Sequence, residues 1–258
     1  MMIVPGSAFI PKATSGDGCG DPLTDSDWAN VELLCWCNGV DDGTTFTDET
    51  GNYGNAGVPS GLVTTQSGTK KFGSSAADFP GEVSQALTWG DVGNFNFLDD
   101  GTLSFTAELW IKTPNDRVAL FATCDGATNQ RGVFFHLRDG NGIGLHIYDG
   151  GGTATIALNT APAFDIKDNE WHHVVFQYDT AEASKYQIFV DGVLQASGNI
   201  TGAYPDIDHL YALHNGRAPS AVGYSKACSM DDIRITKGIA RYPASGFTPP
   251  CRQFPNTD

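Results

Sequence analysis

Trp171-His172-His173-Val174-Val175-Phe176-Gln177-Tyr178 and Tyr186-Gln187-Ile188-Phe189-Val190-Asp191-Gly192-Val193-Leu194-Gln195-Ala196 are the stretches whose reading decides the fold. β-Branched and aromatic residues fill both, which suits a pleated, packed surface. In the second, Tyr186, Ile188 and Val190 share one face by the two-residue period of a strand. Asp191-Gly192 makes a tight turn into 193–196, so strand, turn and strand follow with no room for a helix. Upstream, 104–112 alternates Phe105, Ala107, Leu109 and Ile111 against Thr106, Glu108 and Trp110. Residues 118–123 read as a further strand. Residues 132–138 and 143–148 flank Asp139-Gly140-Asn141-Gly142, a hairpin turn with glycine where positive φ is needed. Residues 153–158 extend that meander, and 210–214 and 230–236 close the series.

Nearer the start, 31–37 is an almost wholly apolar run ending at Asn38-Gly39, suited to a strand covered on both faces. Weaker strands are expected at 62–65, 70–72 and 76–79, and the only helical candidate is a short one near 238–242. About a dozen strands without a repeat predict one all-β domain of two antiparallel sheets. Residues 1–29, with Pro5, Pro11 and Pro22 and no sustained alternation, read as an extended N-terminal arm, leaving 30–258 as the domain.

Composition agrees. Of 258 residues, 31 are Gly and 13 Pro and only 17% are charged, so the chain turns often and draws its polarity from Thr, Ser and Asn. A net charge of −15 repels phosphate backbones and excludes nucleic acid as a partner. No stretch approaches the roughly 20 apolar residues of a membrane helix, so no membrane insertion is expected, and the N-terminus does not read as a secretory signal. The six cysteines form no CxxC pair. Cys35 and Cys37 fall on one side of a strand as small buried hydrophobes, and reduced thiols are expected rather than a disulfide framework.

Trp171-His172-His173-Val174 with Val190-Asp191-Gly192 resembles the paired central strands of laminin-G-like, concanavalin A-like jelly rolls. Three further strings fit that resemblance in order: Leu33 to Gly39, Phe46-Thr47-Asp48-Glu49-Thr50-Gly51-Asn52, and Asp231-Asp232-Ile233-Arg234-Ile235. Asp232 to Tyr242 and Phe247-Thr248-Pro249-Pro250 resemble, more narrowly, versions of the domain in tailed-bacteriophage virion proteins. The resemblance implies a two-sheet antiparallel jelly-roll sandwich. It also implies a structural calcium (Ca2+) held by Asp48, Asn52 and Asp231, pinning the 41–61 loop to the last strand. By period 2, Asp231 shares the face of Ile233 and Ile235 and points inward. The alternative is a carboxylate that caps a turn or pairs with Arg234 or Lys237.

Trp110, Phe134 and Tyr148 lie opposite the expected core and are the carbohydrate-stacking candidates, against a role in core or interface. His172 and His173 face opposite sides and read as structural. Of enzyme motifs there is no E-x-D-x-(x)-E strand, G-x-S-x-G, H-E-x-x-H or P-loop. The expectation is therefore a non-enzymatic virion protein: a capsid decoration protein on the virion surface, assembled in the bacterial host cytoplasm. It would dock on other virion proteins, of capsid or tail, through its arm and form a homo-oligomer, a trimer. The alternative is a lectin-like tail-fibre module that recognises a surface glycan.

Overall fold

The computed structural model describes residues 24–56, 63–82, 85–124, 131–140, 142–149, 154–161, 166–199, 212–216 and 223–258. Within them the chain forms two antiparallel sheets. The first orders β12 (Val193–Gly198), β11 (Tyr186–Val190), β10 (Trp171–Tyr178), β5 (Phe105–Lys112), β14 (Cys228–Lys237), β3 (Ala76–Phe79) and β2 (Thr64–Gln66). Strand β1 (Val31–Cys35) pairs with the second half of β14, beyond β3, which pairs with its first residues. The second sheet orders β4 (Leu87–Trp89), β13 (Leu213–Asn215), β6 (Ala119–Ala122), β7 (Arg131–Leu137), β8 (Ile143–Asp149) and β9 (Ala154–Asn159). This is the jelly-roll sandwich expected from the sequence.

The alternation read from β5, β10 and β11 sets the core. Phe105, Ala107, Leu109 and Ile111 face inward with Val174, Phe176 and Tyr178 and with Tyr186, Ile188 and Val190. Val133, Phe135, Leu137, Leu145 and Ile147 meet them from the second sheet, and the rings of Phe135 and Phe176 touch across the interface at 5.5 Å. Each such side chain contributes about 1.5–3 kcal/mol by leaving water.

The other face of the first sheet is also covered. After β14 the chain runs back across it as a strap. Tyr242 and Phe247 stack at 3.6 Å, Phe247 packs on Phe189, and Phe254 lies under the Arg234 guanidinium. Buried Gln177 takes the Tyr242 N–H on its Oε1 and donates to the Tyr242 carbonyl, tying strap to sheet. No helix forms at 238–242, because those residues belong to this extended strap.

Several expectations need correction. Residues 70–72 are not a strand: the N–H groups of Lys71 and Phe72 turn to Asp231 instead of a ladder. Strand β4 was not expected, its three residues being too few to show a period. Cys37 lies past the end of β1 at φ 55, with its Sγ 3.7 Å from that of Cys35. Neither forms a disulfide, nor do Cys124 and Cys228, but Cys251 is disulfide-bonded, so the thiols are not all reduced. Residues 1–23 of the expected arm also lie outside the described residues. Residues 24–29 fold onto the domain: the Asp25 N–H donates to the Thr257 carbonyl, and Trp28 packs on the cluster of Val31, Leu34 and Phe254.

Candidate functional site

Where the loop after β1 meets the edge strand β4, the chain forms an open cleft of about 460 Å³ lined by Asn52, Tyr53, Asn55, Thr88, Gly90, Asp91 and Asn94. One wall is the 46–56 loop, and Asp48 is its hub. The Asp48 carboxylate accepts from the N–H groups of Leu34, Thr50 and Tyr53 and from the Thr50 hydroxyl. A short side chain bonding the backbone two residues on is a common way to fix a turn. Tyr53 is then held at both ends. Its hydroxyl donates to Glu32 Oε1 at 2.6 Å, and its ring packs on Phe95 at 5.1 Å. Burial and the Glu32 hydrogen bond push the Tyr53 phenol well above its usual range, so it stays neutral. Asn52 donates through Nδ2 to the Glu32 carbonyl, and Asn55 Oδ1 accepts from the Thr47 hydroxyl.

The facing wall is the turn after β4. The Asp91 N–H donates to Asn94 Oδ1, closing the turn. Gly90 sits at φ 61, and a Cβ there would come within 2.9 Å of the Tyr53 ring, so the two walls approach closely only because residue 90 is glycine. The Thr88 hydroxyl is buried with no hydrogen-bond partner. The lining thus offers amides, one carboxylate and one fixed aromatic ring. Among the described residues no lysine or arginine contributes to it.

The calcium set does not come together. All of Asp48's acceptor capacity serves its own loop and β1, while Asp231 accepts from the N–H groups of Lys71, Phe72 and Asp232. Asn52 is exposed and bonded to β1. Among the described residues no three His, Cys, Asp or Glu side chains are grouped as a metal would need. The donors present are N–H and O–H groups where a cation would require oxygens, so these residues do not fit calcium. The inward reading of Asp231 fails for a specific reason. A bulge between Asp231 and Arg234, with Asp232 at φ 48, inserts one residue and reverses the parity. Asp231 therefore stands opposite Trp110 on the outer face, beneath residues 71–72. Burial there raises its pKa to about 7.

The aromatic trio does not form a sugar platform either. Trp110 is 4% exposed, capped by Phe72 and by Lys71 Nζ 4.0 Å from its ring. Phe134 is also 4% exposed, stacked on His136 at 4.0 Å with Tyr224 edge-on. Tyr148 is half-buried beside it. Trp110 lies in the first sheet and the other two in the second, so no groove joins them. The cleft residues Tyr53, Asn55, Thr88, Asp91 and Asn94 were missed. Their only sequence signal is two Asn/Gly-rich turns, 51–55 and 90–94.

Beneath the strap lies a buried ionic network. Glu108 accepts from Arg234 at 2.9 Å, from the Tyr242 hydroxyl at 2.6 Å and pairs with His173 at 3.0 Å. Asp25 bridges Arg234 and Arg241. A cavity of about 230 Å³ opens over this network, but the charged groups of its floor bond to one another. At the edge, His172 sits between Asp191 at 2.6 Å and Asp168 at 3.0 Å. The Asp191 hydrogen bond outweighs burial and raises the His172 pKa above its ordinary 6.5. A raised folded-state pKa stabilises fully below the unfolded value, and the gain is lost as pH rises through the folded one. His172→Gln is therefore expected to lower the melting temperature most near pH ~5.5 and progressively less on the alkaline side. Thermal melts of both proteins across that range check this.

A family model described as the Concanavalin A-like lectin/glucanases superfamily (Laminin_G_3) matches residues 81–240, more than half of the chain. The chain belongs to that superfamily. Among solved structures, this superfamily domain is similar to the binding domain of Paraclostridial Mosquitocidal Protein 1, with TM-score 0.60 and 16% identity over 83% of this chain and 50% of that one. It is also similar to domain 4 of AbnA, an extracellular arabinanase from Geobacillus stearothermophilus solved with arabinotriose: TM-score 0.54, 17% identity, 81% and 93% covered. The botulinum neurotoxin serotype G binding domain gives TM-score 0.54 at 15% identity, with 80% and 47% covered. The domain thus spans about half the length of the toxin domains it matches. At these identities the likeness bears on the fold alone, and it agrees with the jelly-roll sandwich described above. No curated protein matches the sequence.

Proposed function

We propose that this chain is a non-catalytic, lectin-like recognition domain that binds carbohydrate in the cleft between the 52–55 loop and the 90–94 turn. The observation that carries the reading is the lining itself. Asn52, Asn55, Asn94, Asp91 and Thr88 converge on one aromatic ring, Tyr53, whose position is fixed from both ends. Planar amides and carboxylates suit paired sugar hydroxyls, and a neutral ring suits the apolar face of a pyranose or furanose. Glycoside hydrolysis uses two carboxyl groups across the scissile bond, and among the described residues the lining contains one, Asp91. A solved neighbour supports the choice of ligand class: the arabinanase domain was solved with arabinotriose, a neutral oligosaccharide.

This reading stands ahead of capsid decoration for a structural reason. The strings that resemble virion proteins, from Asp232 to Tyr242 and from Phe247 to Pro250, are accounted for by the bulge, the ionic network and the strap. The part of the arm that is described folds onto its own domain. A glycan microarray followed by calorimetry on the hits tests the proposal. Asn94→Ala is expected to weaken binding roughly three- to tenfold, the worth of one neutral hydrogen bond, and Tyr53→Ala to weaken it further. Trp110→Ala should lower stability without changing affinity. Absence of any glycan hit, or full affinity in both cleft variants, overturns the reading.

A further inference from the structure

The cleft's charge is one-sided. Among the described residues Asp91 is the only ionisable carboxyl in its lining, and Glu32 holds the Tyr53 phenol with its Oε1. Asp48 accepts the Tyr53 backbone N–H on its Oδ2, and Glu49 is its chain neighbour. Burial, and after it the Asp48 charge, raises the Glu49 pKa. Among the described residues no lysine or arginine lines the cleft, and the chain as a whole carries −15. The Asn amides supply neutral donors, which serve hydroxyl groups but do not neutralise an anion.

We propose that the cleft selects uncharged saccharides and rejects sialylated, sulfated or uronic-acid ligands, with Asp91 as the specificity-determining residue. This rests on the carbohydrate reading above. A carboxylate or sulfate placed among these groups meets like charge at short range and gains no counter-charge. Discrimination by repulsion of the wrong ligand is as effective as attraction of the right one. Glu32 is a positioning residue: it fixes the ring over which the ligand lies and adds to the field.

The experiment uses the full chain and matched ligand pairs: lactose against sialyllactose, and neutral oligosaccharides found on the array against their sulfated or uronic-acid counterparts. Affinities are measured by calorimetry at low and at physiological salt. Every pair that binds is expected to favour the neutral member at least about tenfold at low salt, and less at higher salt, where the repulsion is screened. Asp91→Asn is expected to narrow that ratio, with circular dichroism showing that the variant is folded. An anionic member binding as tightly as its neutral partner overturns the inference while leaving the carbohydrate reading intact. So does a ratio unchanged by both salt and Asp91→Asn, which would make the preference steric. If no saccharide of either kind binds, the carbohydrate reading itself fails and the selectivity with it.

Discussion

Glu108→Gln is expected to destabilise the domain by about 3–5 kcal/mol, the usual cost of removing one partner from a buried ion pair. Glu108 is fully buried on the outer face of β5, and its two oxygens serve Arg234, Tyr242 and His173. A glutamine of the same shape keeps one acceptor oxygen but leaves the Arg234 guanidinium with only Asp25 as a charge partner. It also turns an amide N–H₂ towards donors that need an acceptor. Chemical denaturation of both proteins measures the loss. The pH dependence carries a second signature. Burial pushes the Glu108 pKa upward, but the Arg234 guanidinium, with His173 and Arg241, holds it well below the carboxylate range. A depressed pKa stabilises fully above the unfolded value, about 4.5, and the gain disappears as pH falls further. The wild type should lose this increment in acid, and Glu108→Gln should not. A variant as stable as the wild type at neutral pH would mean that the network contributes nothing net.

The second large effect belongs to a turn. Gly192→Ala is expected to cost at least about 2 kcal/mol, combining a φ of 77 with a steric conflict. A Cβ at residue 192 would overlap the carbonyl oxygen of Phe247, whose N–H donates to the Gly192 carbonyl at 2.9 Å. The strap must therefore lift where it crosses the β11–β12 turn. Limited proteolysis should cut between residues 243 and 250 faster in the variant than in the wild type. Equal cleavage rates with equal stability would show that the strap does not depend on this contact.

These two sites mark where the sequence was legible and where it was not. The core strands could be read because β5 alternates over eight residues and β11 over five, the pattern a strand shows when its two faces meet different surroundings. The Asp191-Gly192 turn could be read for the same local reason. Asp231 was misplaced because a bulge is a single inserted residue, and nothing in Met-Asp-Asp-Ile-Arg-Ile announces which residue is the extra one. Trp110 faces outward, as its parity in β5 indicates, yet it is covered. What covers it, Lys71 and Phe72, comes from a segment read as a strand. The cleft was invisible because it joins two turns from different sheets, and turns carry no period. Only Asn52 among its residues had been singled out, and for a metal that its neighbours do not suit.

Strand β14 is flanked by β5 on one side and by β3 and β1 on the other. It is the seam between the two halves of its sheet, yet it comes after all the other strands in the chain. While the polypeptide is still leaving the ribosome, β1, β3 and β5 have emerged with their shared neighbour not yet made. Their free edges must wait through most of synthesis. Assembly of this sheet is therefore a late, long-range event, slow by the standards of local folding, and the nascent chain is at its most aggregation-prone just before residues 228–237 arrive.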